Sequence, residues 1–375
     1  MDILHRALFA LAALPLIGAA QTAPVITVPP APAVGAPSLV SYARMSTSCG
    51  GVAVVPVLDV QPFDEASWRS PAAPLGPVTL RFRIDAEGRP LGIVADAPAQ
   101  PFSGSDIAPA LAVSRYPAGA PRQDCVAKFR ATITPITGAP PARLYRFFGI
   151  PHRSSALDWQ IFNAVKPAGT SCYDPVPAPR MIAFPDFDKI PQPAGTTSYT
   201  VLGYDVDASG RPVRLQVIAS DGNAALDAAT QSAVSRSRFE PKARTGCLMR
   251  FNRRQHTPVV APPAPEAASL APPDARCQNP LEWSFEPKLV FPEAYNRRSI
   301  EGWAVIGFDV APWGETGNIH VLASEPSADF GEAAKRIIEQ SRKPSMPNGL
   351  TGCAERVRFL LPRTGQSSGP EPESQ

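Results

Sequence analysis

The sequence predicts an α+β fold of tandem ββαβ modules, each a small antiparallel sheet with one packed helix and one disulfide. Two observations predict it. Six cysteines form three pairs, Cys49 with Cys125, Cys172 with Cys247 and Cys277 with Cys353, separated by 76, 75 and 76 residues. Between the members of each pair, the same succession of alternating apolar run, glycine turn, second run and helical periodicity recurs, the signature of one unit written three times.

The order of segments follows from composition. Arg6 precedes an apolar stretch from Ala7 to Ala20, and Gly18-Ala19-Ala20 supplies small residues for cleavage before Gln21, so residues 1–20 read as a signal peptide. Fourteen apolar residues interrupted by Pro15 are short of the roughly 20 a membrane helix needs. An uncleaved anchor stays open as the alternative. Export puts the cysteines in an oxidising compartment. Although six cysteines formally allow fifteen connectivities, only the nearest-pair pattern repeats with the sequence. The chain holds 46 prolines in 375 residues, well above the usual share of about 5 percent. Many lie outside the repeats, among them those of the linkers at 21–40 and 257–275, where Thr22–Pro37 and Pro258–Pro273 read as extended polyproline spacers. Module 1 then covers residues 41–138, module 2 residues 165–256 and module 3 residues 276–363, before a disordered tail at 364–375.

Each first strand shows one apolar face: Leu80, Phe82 and Ile84; Leu202, Tyr204 and Val206; Ile306, Phe308 and Val310. The other face carries Arg81 and Arg83, Gly203 and Asp205, or Gly307 and Asp309, as in a half-buried strand. Four-residue turns end at Gly88, Gly210 and Gly314, where positive φ is accessible, and Leu215–Ser220 and Ile319–Ser324 read as returning strands. The third helix is clearest, with Phe330, Ala333, Ala334, Ile337 and Ile338 on one stripe and Asp329 with Glu332 resembling a capping box. Leu226, Ala229, Ala233 and Val234 form its second version, whereas Pro109 near the first helix start makes module 1 look degenerate. Last strands are expected after the second cysteines, at Val126–Ile133, Leu248–Arg253 and Ala354–Leu361.

Phe291-Pro292-Glu293-Ala294-Tyr295, the run Arg297 to Trp303 and the strand with Phe308-Asp309-Val310 before Gly314 resemble the C-terminal domain of the TonB family. Ala323-Ser324-Glu325-Pro326 with the helix opening at Phe330, and in module 2 Phe184-Pro185-Asp186 and Arg238-Phe239-Glu240-Pro241, extend the resemblance. In module 1 only the strand pattern, the Gly88 turn and Tyr116-Pro117 carry it. The resemblance implies a periplasmic protein-binding module whose last strand receives an extended segment of a cell-envelope partner, such as a TonB-dependent outer-membrane receptor. An edge strand offers unpaired backbone donors and acceptors for this. It points to Arg356, Arg358 and Leu360 in module 3 and to Arg250 and Asn252 in module 2.

Other chemistry finds little support. A net charge of +3 gives no case for nucleic acid, and the lone, widely spaced cysteines lack metal-ligand spacing. His152, His256 and His320 have no repeated partners, no catalytic or phosphate-cradling motif is present, and neither a metal nor a cofactor is expected. Asp205 and Asp309 repeat beside turns and read as turn and strand geometry. The sixteen residues of Thr22–Pro37 reach about 50 Å as polyproline II, too short a spacer for an energy transducer. A non-enzymatic periplasmic binder is the reading these features favour; an anchored transducer and a structural cell-wall module are the alternatives.

Overall fold

A computed structural model describes residues 35–69, 75–96, 105–152, 156–254, 257–277 and 282–362. The signal peptide, the C-terminal tail and most of the first linker fall outside the described residues. Ahead of the first hairpin lie β1 (Ala36–Cys49), β2 (Val52–Ala53) and β3 (Glu65–Arg69). The first unit then runs β4 (Val78–Ile84), β5 (Pro90–Ala95), α1 (Ile107–Val113) and β6 (Arg122–Pro135). Two helices follow, α2 (Pro141–Gly149) and α3 (Asp158–Val165). The second unit has β7 (Pro179–Met181), β8 (Thr197–Val206), β9 (Pro212–Ser220), α4 (Ala224–Arg236), β10 (Arg238–Phe239) and β11 (Arg244–Arg254). The third has α5 (Glu293–Arg297), β12 (Gly302–Val310), β13 (Thr316–Glu325), α6 (Ala328–Gln340) and β14 (Leu350–Phe359). Hairpin, helix and return strand give the antiparallel orders β5-β4-β6, β9-β8-β11 and β13-β12-β14.

The repeat reaches atomic detail. Ser114, Ser237 and Ser341 end their helices, each hydroxyl donating to the carbonyl four residues back at 2.9, 3.1 and 2.8 Å. Two residues on, the N–H groups of Tyr116, Phe239 and Lys343 donate to the carbonyls of Gly88, Gly210 and Gly314, each at 2.9 Å. These turn glycines have φ of 78°, 84° and 93°, and an added Cβ would overlap the facing carbonyl oxygen, so both the backbone conformation and the close approach require glycine. In the first unit Pro109 occupies the first turn of α1, where a missing N–H costs nothing, and the helix forms despite it. Disulfides join Cys49–Cys125, Cys172–Cys247 and Cys277–Cys353.

Several expectations change. The last strands begin before, not after, their cysteines, because Cys125, Cys247 and Cys353 pair with Phe82, Tyr204 and Phe308 inside the ladders. β14 ends at Phe359, one residue short of Leu360. The cap of α6 is Ser327, whose Oγ accepts from Asp329 N at 3.2 Å, two residues ahead of the expected capping box. β1 starts at Ala36, inside the stretch assigned to the first linker; Pro37 near the strand start is tolerated there. Its buried run Ser38–Tyr42 faces apolar surroundings on both sides and so lacks alternation.

The first strands of the second and third units are buried on both faces rather than half-buried. Tyr199 and Val201 lie under α2 with Phe63 and Ile150, and Trp303 and Val305 lie under Ala261, Ala264, Ala267 and Leu270. The Pro258–Pro273 segment is therefore a cover rather than a free spacer, and Trp303 Nε1 donates to its Pro262 carbonyl at 2.8 Å. Nor does the third unit have a private core. Ile93, Leu111 and Phe129 of the first unit join Ile306, Phe330 and Phe359 of the third in one continuous cluster.

A buried ion pair ties all three units together. Arg298, 1% exposed, donates through Nε to Asp106 Oδ1 at 2.7 Å and through Nη2 to the other carboxylate oxygen. Its remaining donors reach the Gly195 carbonyl at 3.2 Å and the Gln61 carbonyl at 3.1 Å, and its guanidinium lies 4.0 Å from the Phe63 ring centre. Asp106 also accepts from Phe63 N at 2.8 Å. Removing one partner strands the other charge. Asp106→Asn is expected to lower unfolding free energy by about 3–5 kcal/mol in denaturant titrations, with Asp106→Leu combined with Arg298→Met recovering much of the loss. A loss below about 1 kcal/mol for the single variant would contradict the role given to the pair.

Candidate binding edges

Each unit places its last strand beside the first, so the last strand has one side left over. What lies there differs. In the first unit β1 runs antiparallel along β6 from Ser38 opposite Pro135 to Cys49 opposite Cys125, with one irregularity at Arg44/Ser46. The edge is closed by the chain itself, and Cys49–Cys125 pins the end of the added strand. Val40 and Tyr42 of β1 enter the core beside Phe129, while Arg44 donates to Tyr116 Oη at 2.7 Å and Ser114 Oγ at 2.9 Å.

In the second unit only the beginning of β11 is covered. Ser171 N donates to the Thr245 carbonyl at 3.0 Å, and Leu248 N donates to Tyr173 Oη at 2.8 Å. Leu248 N–H therefore points away from β8. Pairing is regular from Cys247 to Arg254, so the backbone groups of Arg250 and Asn252 point the same way. No described strand lies beside them, and β11 is the terminal strand of its sheet. Their side chains turn to the outer face, opposite Val201 and Tyr199. Arg250 lies 4.5 Å from the centre of the Phe148 ring and bonds the Phe148 carbonyl, and burial pulls its pKa below the ordinary arginine value. Asn252 is half-buried.

β14 is likewise terminal. Arg276 N donates to the Thr351 carbonyl at 2.9 Å at its start, after which no described strand accompanies it. Arg356 stands opposite Val305, and its Nη1 donates to the Pro265 carbonyl at 3.2 Å and to Glu266 Oε1 at 3.0 Å. Arg358, opposite Trp303, is exposed, and Leu360 beyond the strand end is 58% exposed. The structure thus brings Arg356 and Arg358 to one edge and Arg250 and Asn252 to another, and it commits Arg250 and Arg356 to holding the covers. Sequence reasoning missed those covers, α2 and Glu266 among them. The repeated Ser-Arg pairs at 114–115, 237–238 and 341–342 were an overlooked signal of the underlying repeat.

The remaining polar candidates have structural tasks. Asp205 Oδ1 accepts from Gly246 N at 2.6 Å, and Asp309 Oδ1 accepts from Gly352 N at 2.8 Å, at matching bulges before the second cysteines. His320 is exposed on β13 with its ring over Gly307, and His152 Nε2 lies 3.1 Å from Asp158 Oδ1. Trp303 is buried, whereas Trp313 is exposed. Among the described residues, no group of three or more His, Cys, Asp or Glu could hold a metal ion.

The family model for the Gram-negative bacterial TonB protein C-terminal matches residues 191–252 and 287–362. These segments contain the hairpin, the helix and the open last strand of the second and third units. The first unit, with its closed edge, lies outside them. No curated protein matches the chain.

Beneath β14, Lys343 takes the position of Tyr116 and Phe239 in the other units. Its ammonium sits 3.5 Å from the centre of the Trp283 ring, which stacks on Phe308 as Phe239 does on Tyr204. Burial lowers its pKa from 10.5 to about 8, against the pull of Glu355 and Glu286. The unfolded chain keeps this proton up to about 10.5 and the folded chain releases it near 8, so unfolding takes up a proton between those values and stability rises with pH there. Denaturant titrations from pH 7.5 to 10 should show a rise on the order of 2–3 kcal/mol that Lys343→Met removes. The same rise in both proteins would assign it to another group.

Proposed function

We propose, from the match of residues 191–252 and 287–362 to the family model of the TonB C-terminal, that this chain is a non-enzymatic periplasmic protein that captures extended segments of envelope proteins by strand addition. Its partners are outer-membrane receptors of the TonB-dependent class, and the capture belongs to receptor-mediated uptake. The observation that carries the reading is the contrast between units: β1 is seated along β6, while no described strand lies along the corresponding side of β14. An added segment gains main-chain hydrogen bonds along β14 and sets its register through alternate side chains. The exposed guanidinium of Arg358 favours an acidic residue opposite it. On the other face, Phe291, 5.7 Å from Phe359 between ring centres, offers an apolar seat.

In this reading the prolines and the disulfides serve envelope life, and the anchored-transducer alternative turns on whether residues 1–20 are removed, which N-terminal sequencing of the mature protein decides. Arg358→Pro deletes an outward N–H without touching a bond to β12. It is expected to reduce receptor crosslinking from a photoreactive residue at Leu360 at least tenfold, with thermal unfolding within a few degrees of the parent. Arg358→Ala should weaken capture mainly at low salt, where screening is least. A folded Arg358→Pro protein that crosslinks its receptor at full strength would rule out addition at this edge.

A further inference from the structure

We propose that the chain is a divalent strand acceptor, with β11 and β14 each taking one extended segment at the same time and the third such edge filled permanently by its own β1. The inference rests on the strand-addition reading above and goes beyond it in number, geometry and ligand class.

The segment ahead of each first cysteine sets the state of each edge. In all three units the disulfide brings that segment beside the start of the last strand: Ser48 opposite Val126, Ser171 on Thr245, Arg276 on Thr351. Only in the first unit does it continue along the edge as a strand. In the other two the preceding chain climbs onto the outer face, as α2 over β8 and as residues 261–272 over β12. With the chain diverted over the faces, no described strand lies beside β11 or β14 beyond their first residues.

The closed edge shows what an open one accepts. Counted from the cysteines, Lys128, Arg250 and Arg356 are equivalent, as are Arg130, Asn252 and Arg358. Opposite the first unit's cations β1 places Ser46 and Ala43, side chains small enough to leave a long cation extended beside them. On the core side it places Tyr42 and Val40. The ligand class is therefore an extended segment with apolar residues on one face and small or acidic residues on the other. Both open edges belong to the single compact unit Gly35–Gln375, and Arg298 bonds Gly195 just ahead of β8. The edges are thus held at a fixed separation, so a partner bearing two such segments gains by avidity, on the order of 10²-fold or more when its spacing fits.

The test uses a synthetic peptide with the sequence of residues 36–48, the strand that the equivalent edge takes. Resident β1 cannot be exchanged for it while Cys49–Cys125 is intact. Native mass spectrometry and calorimetric titration of the oxidised full chain should give two peptides per chain, falling to one in Asn252→Pro or Arg358→Pro and to none in the double variant. All four proteins should unfold within a few degrees of one another. One peptide per parent chain would overturn divalency and leave strand addition at the surviving edge standing. No bound peptide would overturn both. A chain that is already dimeric without peptide, and becomes monomeric in either proline variant, would assign the edges to a second copy and also overturn the proposal.

Discussion

The Asp106–Arg298 pair is the constraint on which the arrangement of this molecule depends. A guanidinium 1% exposed is tolerable only if its charge and donors are met, and here two carboxylate oxygens, two carbonyls and a ring face meet them. The acceptors come from different parts of the chain: Asp106 at the start of α1, Gln61 ahead of β3, Gly195 ahead of β8. A network of this kind has one geometry in which every member is satisfied, so it specifies how the units dock as well as contributing to their stability. The shared core of the first and third units supplies the apolar burial, and the pair fixes its registration.

The docking also explains where the repeat breaks. In the second unit Asp205 is paired with Arg214 nine residues on, and in the third Asp309 accepts from Asn318 at the same step. The first unit has Arg83 and Gly92 in these places. Glu325 of the third unit takes up both, accepting from Arg83 Nη1 at 2.6 Å and from Gly92 N at 2.7 Å. Beside this contact Ile93 N donates to the Pro326 carbonyl at 2.9 Å, joining β5 to the end of β13. What looks degenerate in sequence is an interface: residues that would complete the unit alone have been replaced by residues that complete its partner.

Function follows from which surfaces these arrangements consume. The outer faces of β8 and β12 are taken by inter-unit segments, and β6 is taken by β1. No described strand takes the outer side of β11 or β14. Arg250 and Arg356, singled out as ligand contacts, turn out to clamp the covers to the sheets, while Arg358 at the same edge faces solvent. Alternation along a strand tells which side chains share a face and says nothing about what that face meets, so the sequence could nominate both arginines without separating their tasks.

By itself the sequence determined the unit: cysteine spacing set the disulfide pairs, period-two alternation set the hairpins, and the 3.6-residue stripe of Phe330, Ala334 and Ile337 set the helix, because each of these signals is local or repeats. Only the tertiary structure decided the rest. Pro258–Pro273 reads as a stiff spacer, yet it lies on Trp303, since small alanines and proline rings fit a flat sheet face that no local pattern announces. The Ala36–Val40 stretch reads as linker, yet it opens a strand, since the run Ser38–Tyr42 is buried on both faces and its alternation is erased. The Asp106–Arg298 pair spans 192 residues and carries no periodicity at all. Long-range closure of this kind depends on where three units meet in space, and it seats β1 along β6 while no described strand lies along β11 or β14.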